Sequence, residues 1–189
     1  LIRMKKKIYP KRYEKWDNKI NILNINEIDK INILFELIIV GTPPETHFNL
    51  CKFIKENLKY KKILIEKPII NYSNKNINAL KKICKNDLVF CGYNHSISPA
   101  FLYFVRKISL VRKIKSVQVN WCEGWKGILN AHYWLKNEFD SYLGDYKKGG
   151  GSLQEHSHGF HLLFVIILNV LELNIKKLKT YVKIYVYIW

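Results

Sequence analysis

The clearest order in the chain begins at residue 33. The run ILFELIIV (33–40) is apolar at every position except Glu36 and stops at Gly41-Thr42-Pro43-Pro44. A short, near-continuous apolar run closed by glycine and proline predicts a strand buried on both faces of a parallel sheet. The segment after it, PETHFNLCKFIKENL, carries Leu50, Ile54 and Leu58 at helical spacing. KILIE (62–66) predicts a second strand. Ser73 is placed to cap a second helix with Ile77, Leu80 and Cys84 on one face. LVFCGY (88–93) predicts a third strand, and Ser98-Pro99 opens a third helix, proline being at home in a first turn. Strands alternating with helices at this spacing predict a parallel sheet with right-handed crossovers.

The pattern changes near Val111. KIKSVQVNWCEGW (113–125) alternates apolar and polar residues, as a half-exposed antiparallel strand does. An aromatic, glycine-rich stretch (121–152) comes next, then an apolar helix (156–171) and a second alternating segment, KTYVKIYVYIW. Residues 1–32 are polar, rich in Lys and Asn, and weakly patterned. The fold class is therefore α/β: a parallel sheet over 1–110, followed over 111–189 by the start of an α+β domain with an open antiparallel sheet.

Composition narrows the function classes. With 48% hydrophobic and 14% aromatic residues the chain can bury a core. Its net charge of +17 would suit an anionic partner, but the lysines are spread evenly and no arginine-rich or aromatic-interleaved stripe stands out. Nucleic acid is therefore not an expected partner. Cysteines 51, 84, 91 and 122 show no CxxC spacing, which fits free thiols in a reducing cytoplasm. LIRMKKKIYPKRY lacks the apolar core of a signal peptide. The longest apolar run, Leu162–Leu171, is shorter than the roughly 20 residues of a membrane span. No membrane association is expected.

Candidate chemistry sits in three loops, GTPPETH (41–47), EKPII (66–70) and GYNHSIS (92–98). Each comes directly after a predicted parallel strand, and ligands of open parallel sheets bind outside the strands' carboxyl ends. Thr42, His47, Glu66, Lys67, Asn94 and His95 could thus face one crevice. Taken alone, Glu66-Lys67 equally suits an exposed ion pair at a strand end. Gly149–Gly151 could be a flexible turn or a close approach of backbone to ligand. His156, His158 and His161 with Glu155 raise a metal reading, since His158 and His161 share a helix face. No further ligand set accompanies them, and no metal is expected. The tryptophans at 121, 125 and 134 suit a core, with a share lining a sugar site.

At these residues the chain resembles the Gfo/Idh/MocA family of oxidoreductases, the glucose-fructose oxidoreductase and inositol dehydrogenase group. LIIVGTPPETH is similar to the family's strand and Thr-Pro turn, LIEKPI to its Glu-Lys-Pro signature, CGYNHSISPAF to its Gly-Tyr-Asn segment, and GGGSLQEHSHGFHLL to the stretch before its catalytic His. The resemblance implies a partial Rossmann-like, dinucleotide-binding sheet and an NAD- or NADP-dependent oxidation of a sugar or sugar-like polyol. It implies that Thr42, Pro43, His47, Glu66, Lys67 and Asn94 bind the cofactor. Lys67 and His158 would be the catalytic pair, and Lys67, Asn94, Glu155 and His158 would line the substrate. A homo-oligomer is implied for the full-length form. Departures accompany the likeness: residues 1–32 contain no glycine, so the GxGxxG turn is missing, and His161 stands where the family has Asp or Asn. The chain thus reads as the middle of such an enzyme, or alternatively as a non-catalytic, partner-binding remnant of one.

Overall fold

In the computed structural model the apolar run 33–40 folds as two short strands, β1 (Leu34–Phe35) and β2 (Ile38–Val40), interrupted at Glu36-Leu37. The residues described are 19–21, 23–28, 30–70, 77–85, 88–111, 114 and 116–169. A single helical turn, α1 (Ile25–Ile28), precedes β1. Pro44 then starts α2 (Pro44–Asn57), with Pro43 as its cap residue. The chain returns through β3 (Lys59–Tyr60) and β4 (Ile63–Ile65), crosses over by α3 (Ile77–Cys84) and ends the sheet with β5 (Val89–Cys91). All pairings are parallel: β1 with β3, and β2, β4 and β5 in that spatial order.

Register explains the core. Ile38, Ile63 and Val89 align across the three strands, as do Val40, Ile65 and Cys91. These residues point to one face, where α2 and α3 cover them. Val40, Cys51, Ile54, Ile63, Ile65 and Leu80 form the buried cluster. Ile39, Leu64 and Phe90 align on the opposite face. Ile39 is 59% exposed and Phe90 47%, so among the described residues that face is largely uncovered. The expectation of strands buried on both faces is corrected accordingly: both crossover helices with a buried stripe lie on one side. The buried stripe of α2 is His47, Cys51 and Ile54 rather than Leu50, Ile54 and Leu58, with Leu50 and Leu58 at its margins.

Ser98 caps α4 (Pro99–Ile108), its hydroxyl accepting from the backbone N–H of Phe101, as expected. Ser73 lies outside the described residues. Beyond 111 the chain departs from expectation. Residues 116–122 keep the alternation of exposure but join no strand ladder among the described residues. An extended segment becomes a strand only when a neighbouring backbone takes its hydrogen bonds, and the other alternating segment, 179–189, lies outside the described residues. The open antiparallel sheet is therefore not part of the described fold. From 125 to 169 the chain is built of helices and turns: α5 (Trp125–Ala131), three 3-10 turns between 138 and 148, α6 (Gly151–Gln154) and α7 (His158–Asn169). Among the described residues no helix is long and apolar enough to cross a membrane.

Candidate active site

The three loops meet around Glu66. Its backbone N–H continues the ladder to the Val40 carbonyl at 3.0 Å, and the N–H of Gly92 bonds to the Ile65 carbonyl at 2.8 Å. The Glu66 carboxylate lies on Gly92: a Cβ built there would stand 2.8 Å from Glu66 Oε2. Gly92 thus leaves the space that the carboxylate occupies. Gly41 approaches the same side chain, its Cβ position lying 4.0 Å from Glu66 Cγ.

Thr42 and Pro43 are exposed on the first loop, which is braced from beneath. His47 is fully buried, with Nε2 2.7 Å from the Thr42 carbonyl and Nδ1 2.9 Å from the Ile69 carbonyl. Both ring nitrogens are engaged by backbone, so His47 ties the first loop to the second. With both ring nitrogens on backbone carbonyls, His47 braces the Thr42 loop from beneath. Thr42 and Thr46 share a hydroxyl contact of 2.6 Å, and Thr46 also donates to the Pro43 carbonyl at 2.8 Å.

Lys67 links the halves of the chain. Its ammonium donates to Glu155 Oε1 at 2.7 Å and to the Glu155 carbonyl at 2.5 Å, across 88 residues of sequence. The two side chains are only 14% and 12% exposed. Together with Gly41, Thr42, Pro43 and Glu66 they line an open cavity of about 360 Å³, closed on its far side by His132, Trp134, Leu135, Ser141, Tyr142 and Leu143. Burial, then the carboxylates of Glu155 and Glu66, raise the Tyr142 phenol far above its ordinary pKa and keep it protonated. The Lys67-Pro68 peptide is cis.

His158 begins α7 in an aromatic nest beside the cavity wall. It is 8% exposed, with ring centroids 4.4 Å from His95, 5.6 Å from Trp121 and 5.8 Å from Tyr93. Burial, then the positive charge of Lys67 and the neighbouring His95, lower its pKa to about 4, against a small opposing pull from Glu123. Its Nδ1 is buried without a partner. His161 stacks on Tyr93 at 4.1 Å, and the Tyr93 hydroxyl meets that of Ser157 at 3.0 Å. His156 turns away to Glu123 at 2.9 Å, and the Trp121 indole donates to the same carboxylate. Burial pushes Glu123 up, but the Trp121 and His156 contacts outweigh it and hold the group below its usual pKa. The histidines 156, 158 and 161 therefore diverge, and among the described residues no group of three or more His, Cys, Asp or Glu converges on a metal position.

Of the residues singled out from sequence, Thr42, Pro43, Glu66, Lys67 and Glu155 share the cavity. His158 is in electrostatic reach of Lys67 but does not line it, and Asn94 is exposed at the start of a 3-10 turn. Missed were Tyr142, His132, Ser141 and the Glu123–His156 pair. The density of aromatics from 121 to 146 was their only local signal. Gly149–Gly151 lies close against the Tyr142–Tyr146 turn: Gly149 and Gly151 take φ of 99° and 77°, and a Cβ on Gly150 would fall 1.9 Å from the Tyr142 carbonyl oxygen.

Comparison with known proteins agrees with the parallel sheet and its loops. Residues 7–95 match the profile of the oxidoreductase family with an NAD-binding Rossmann fold. No curated protein and no solved structure gives a significant match. Through this segment, which spans the described parallel sheet, the first two loops and the start of the third, the chain is similar to the Gfo/Idh/MocA oxidoreductases, a family with an NAD-binding Rossmann fold.

Proposed function

We propose that the chain is an NAD(P)-dependent oxidoreductase acting on a hydroxyl of a sugar or sugar-like polyol, with Lys67 and His158 handling the proton. The observation that carries this reading is the joining of Lys67 to Glu155 at a cavity bounded by the Gly41–Pro43 loop on one side and Trp134 and Tyr142 on the other. About 360 Å³ falls in the usual range for small-ligand sites. The exposed Gly41-Thr42-Pro43 backbone beside Glu66 suits a nicotinamide dinucleotide, which when bound supplies hydride acceptance.

The chain's own residues divide the remaining work. Two of the three N–H groups of Lys67 are engaged by Glu155, leaving one to donate to a substrate hydroxyl and to steady developing alkoxide charge. His158, neutral through most of the pH range, is assigned the hydroxyl proton by the family likeness. Asn94 is assigned to the substrate side by the family likeness. His47 contributes by fixing the Thr42 loop.

A second reading is a non-catalytic, partner-binding chain, in which the Gly41–Pro43 loop and the cavity beside Lys67 hold no nucleotide. Titration of the chain with NAD+, NADH, NADP+ and NADPH by calorimetry separates the two. Micromolar affinity for at least one, with polyol-dependent reduction at 340 nm lost by about 100-fold or more in Lys67→Met, is the expected outcome. Millimolar or absent affinity ends the enzymatic reading in favour of the second.

A further inference from the structure

We infer that the cavity beside Lys67 selects a polyol carrying a protonated amine over one carrying a carboxylate or phosphate. The polyol class rests on the function proposed above, and the charge preference comes from the cavity wall. Two carboxylates, Glu66 and Glu155, face one cation, Lys67. That cation is already paired with Glu155 at 2.7 Å, and among the described residues no ion pair involves Glu66. The wall therefore carries one uncompensated negative charge, within a chain whose net charge is +17.

Its hydrogen-bonding character points the same way. Glu155 Oε2 is buried and makes no hydrogen bond that would offset its charge. His132 lies 2.8 Å from the Ile128 carbonyl through Nδ1. A carbonyl only accepts, so Nδ1 carries the proton and Nε2 is left as an acceptor. The lining thus sets the strong acceptors Glu66, Glu155 and His132 against a single cationic donor, Lys67. Trp134 and Tyr142 add aromatic faces, which attract an ammonium group and also suit the apolar face of a sugar. An anionic substituent would find one remaining Lys67 N–H between two carboxylates, and like charges held so close repel.

The test uses three molecules that share one carbon skeleton: glucamine, sorbitol and gluconate, bearing at one end an ammonium, a hydroxyl and a carboxylate. Each is titrated into the full chain at pH 7 by calorimetry, without nicotinamide nucleotide. Glucamine should bind most tightly and gluconate least, by about tenfold or more. Glu66→Gln should reduce the advantage of glucamine over sorbitol by at least about threefold. Gluconate binding as tightly as glucamine, or no binding by any of the three, overturns the inference on the unaltered chain alone. Survival of the preference in both Glu66→Gln and Glu155→Gln overturns it as well. Because nicotinamide nucleotide is left out, failure of the separate NAD(P)(H) titration counts against the oxidoreductase reading and not against the charge preference.

Discussion

His158 takes its chemistry from its neighbours. An imidazole on its own titrates near pH 6.5, but here burial and the adjacent Lys67 charge bring it to about 4, with His95 and His161 adding to the effect and Glu123 opposing it. Between these two values the unfolded chain binds a proton that the folded chain does not, so stability falls as pH drops through this window. The loss reaches about 3 kcal/mol by pH 4, and the contribution vanishes above pH 7. Urea unfolding at pH 7 and pH 4 should show this difference in the natural chain and a smaller one in His158→Phe. An equal loss in both would remove His158 as its source. At this scale the sequence shows that a histidine comes after a glycine-rich stretch, but not that rings from positions 93, 95 and 121 enclose it. His47 makes the same point in reverse. The family resemblance implies that the histidine after Thr-Pro-Pro meets the cofactor, whereas its position on the inner stripe of α2 turns both nitrogens toward carbonyls.

At the scale of elements, the alternation of apolar runs with helical periodicity was sufficient for β2, β4, β5 and the helices between them. These elements are set by local patterning and by turn residues that recur at each strand end. The glycines of the turns differ in what they permit. Gly150 faces backbone, with carbonyl oxygens of Tyr142 and Leu143 at 1.9 Å and 2.3 Å from its Cβ position. Gly150→Ala should therefore cost about 1–3 kcal/mol in urea unfolding, because backbone has to move. Gly92 faces the movable end of Glu66. Gly92→Ala should change stability by less than about 1 kcal/mol yet displace the carboxylate, which would appear as weaker glucamine binding. Equal stability losses in the two variants would contradict this distinction. The segment 113–125 was illegible for a different reason. Alternation records which side chains face inward, not whether a neighbouring strand is present to pair with the backbone.

For the molecule as a whole, the parallel sheet and the helical half are joined where Lys67 meets Glu155 and where the 3-10 turn at 94–97 packs on α7. Breaking the ion pair should matter to both halves. A double-mutant cycle of Lys67→Met and Glu155→Gln in urea unfolding should give a coupling of about 1–3 kcal/mol, as expected for a contact shielded from solvent. A coupling near zero would mean that the halves are held together by the aromatic nest alone. Ile39 and Phe90 leave an apolar sheet face exposed at this scale, a feature hidden from a reading that counts apolar residues without knowing which side the helices take.

From the sequence alone came the order of strands, loops and helices, the gathering of three loops at one sheet edge, and the Glu-Lys-Pro and Thr-Pro turns that mark the family. All of these depend on interactions between near neighbours or on the fixed hand of a crossover. The partner of Lys67, the neutrality of His158, the burial of His47 and the closing of the cavity by residues 132–143 were decided by tertiary structure. Each depends on groups brought together from distant parts of the chain, 88 residues apart for Lys67 and Glu155, and periodicity carries no information about which surfaces meet.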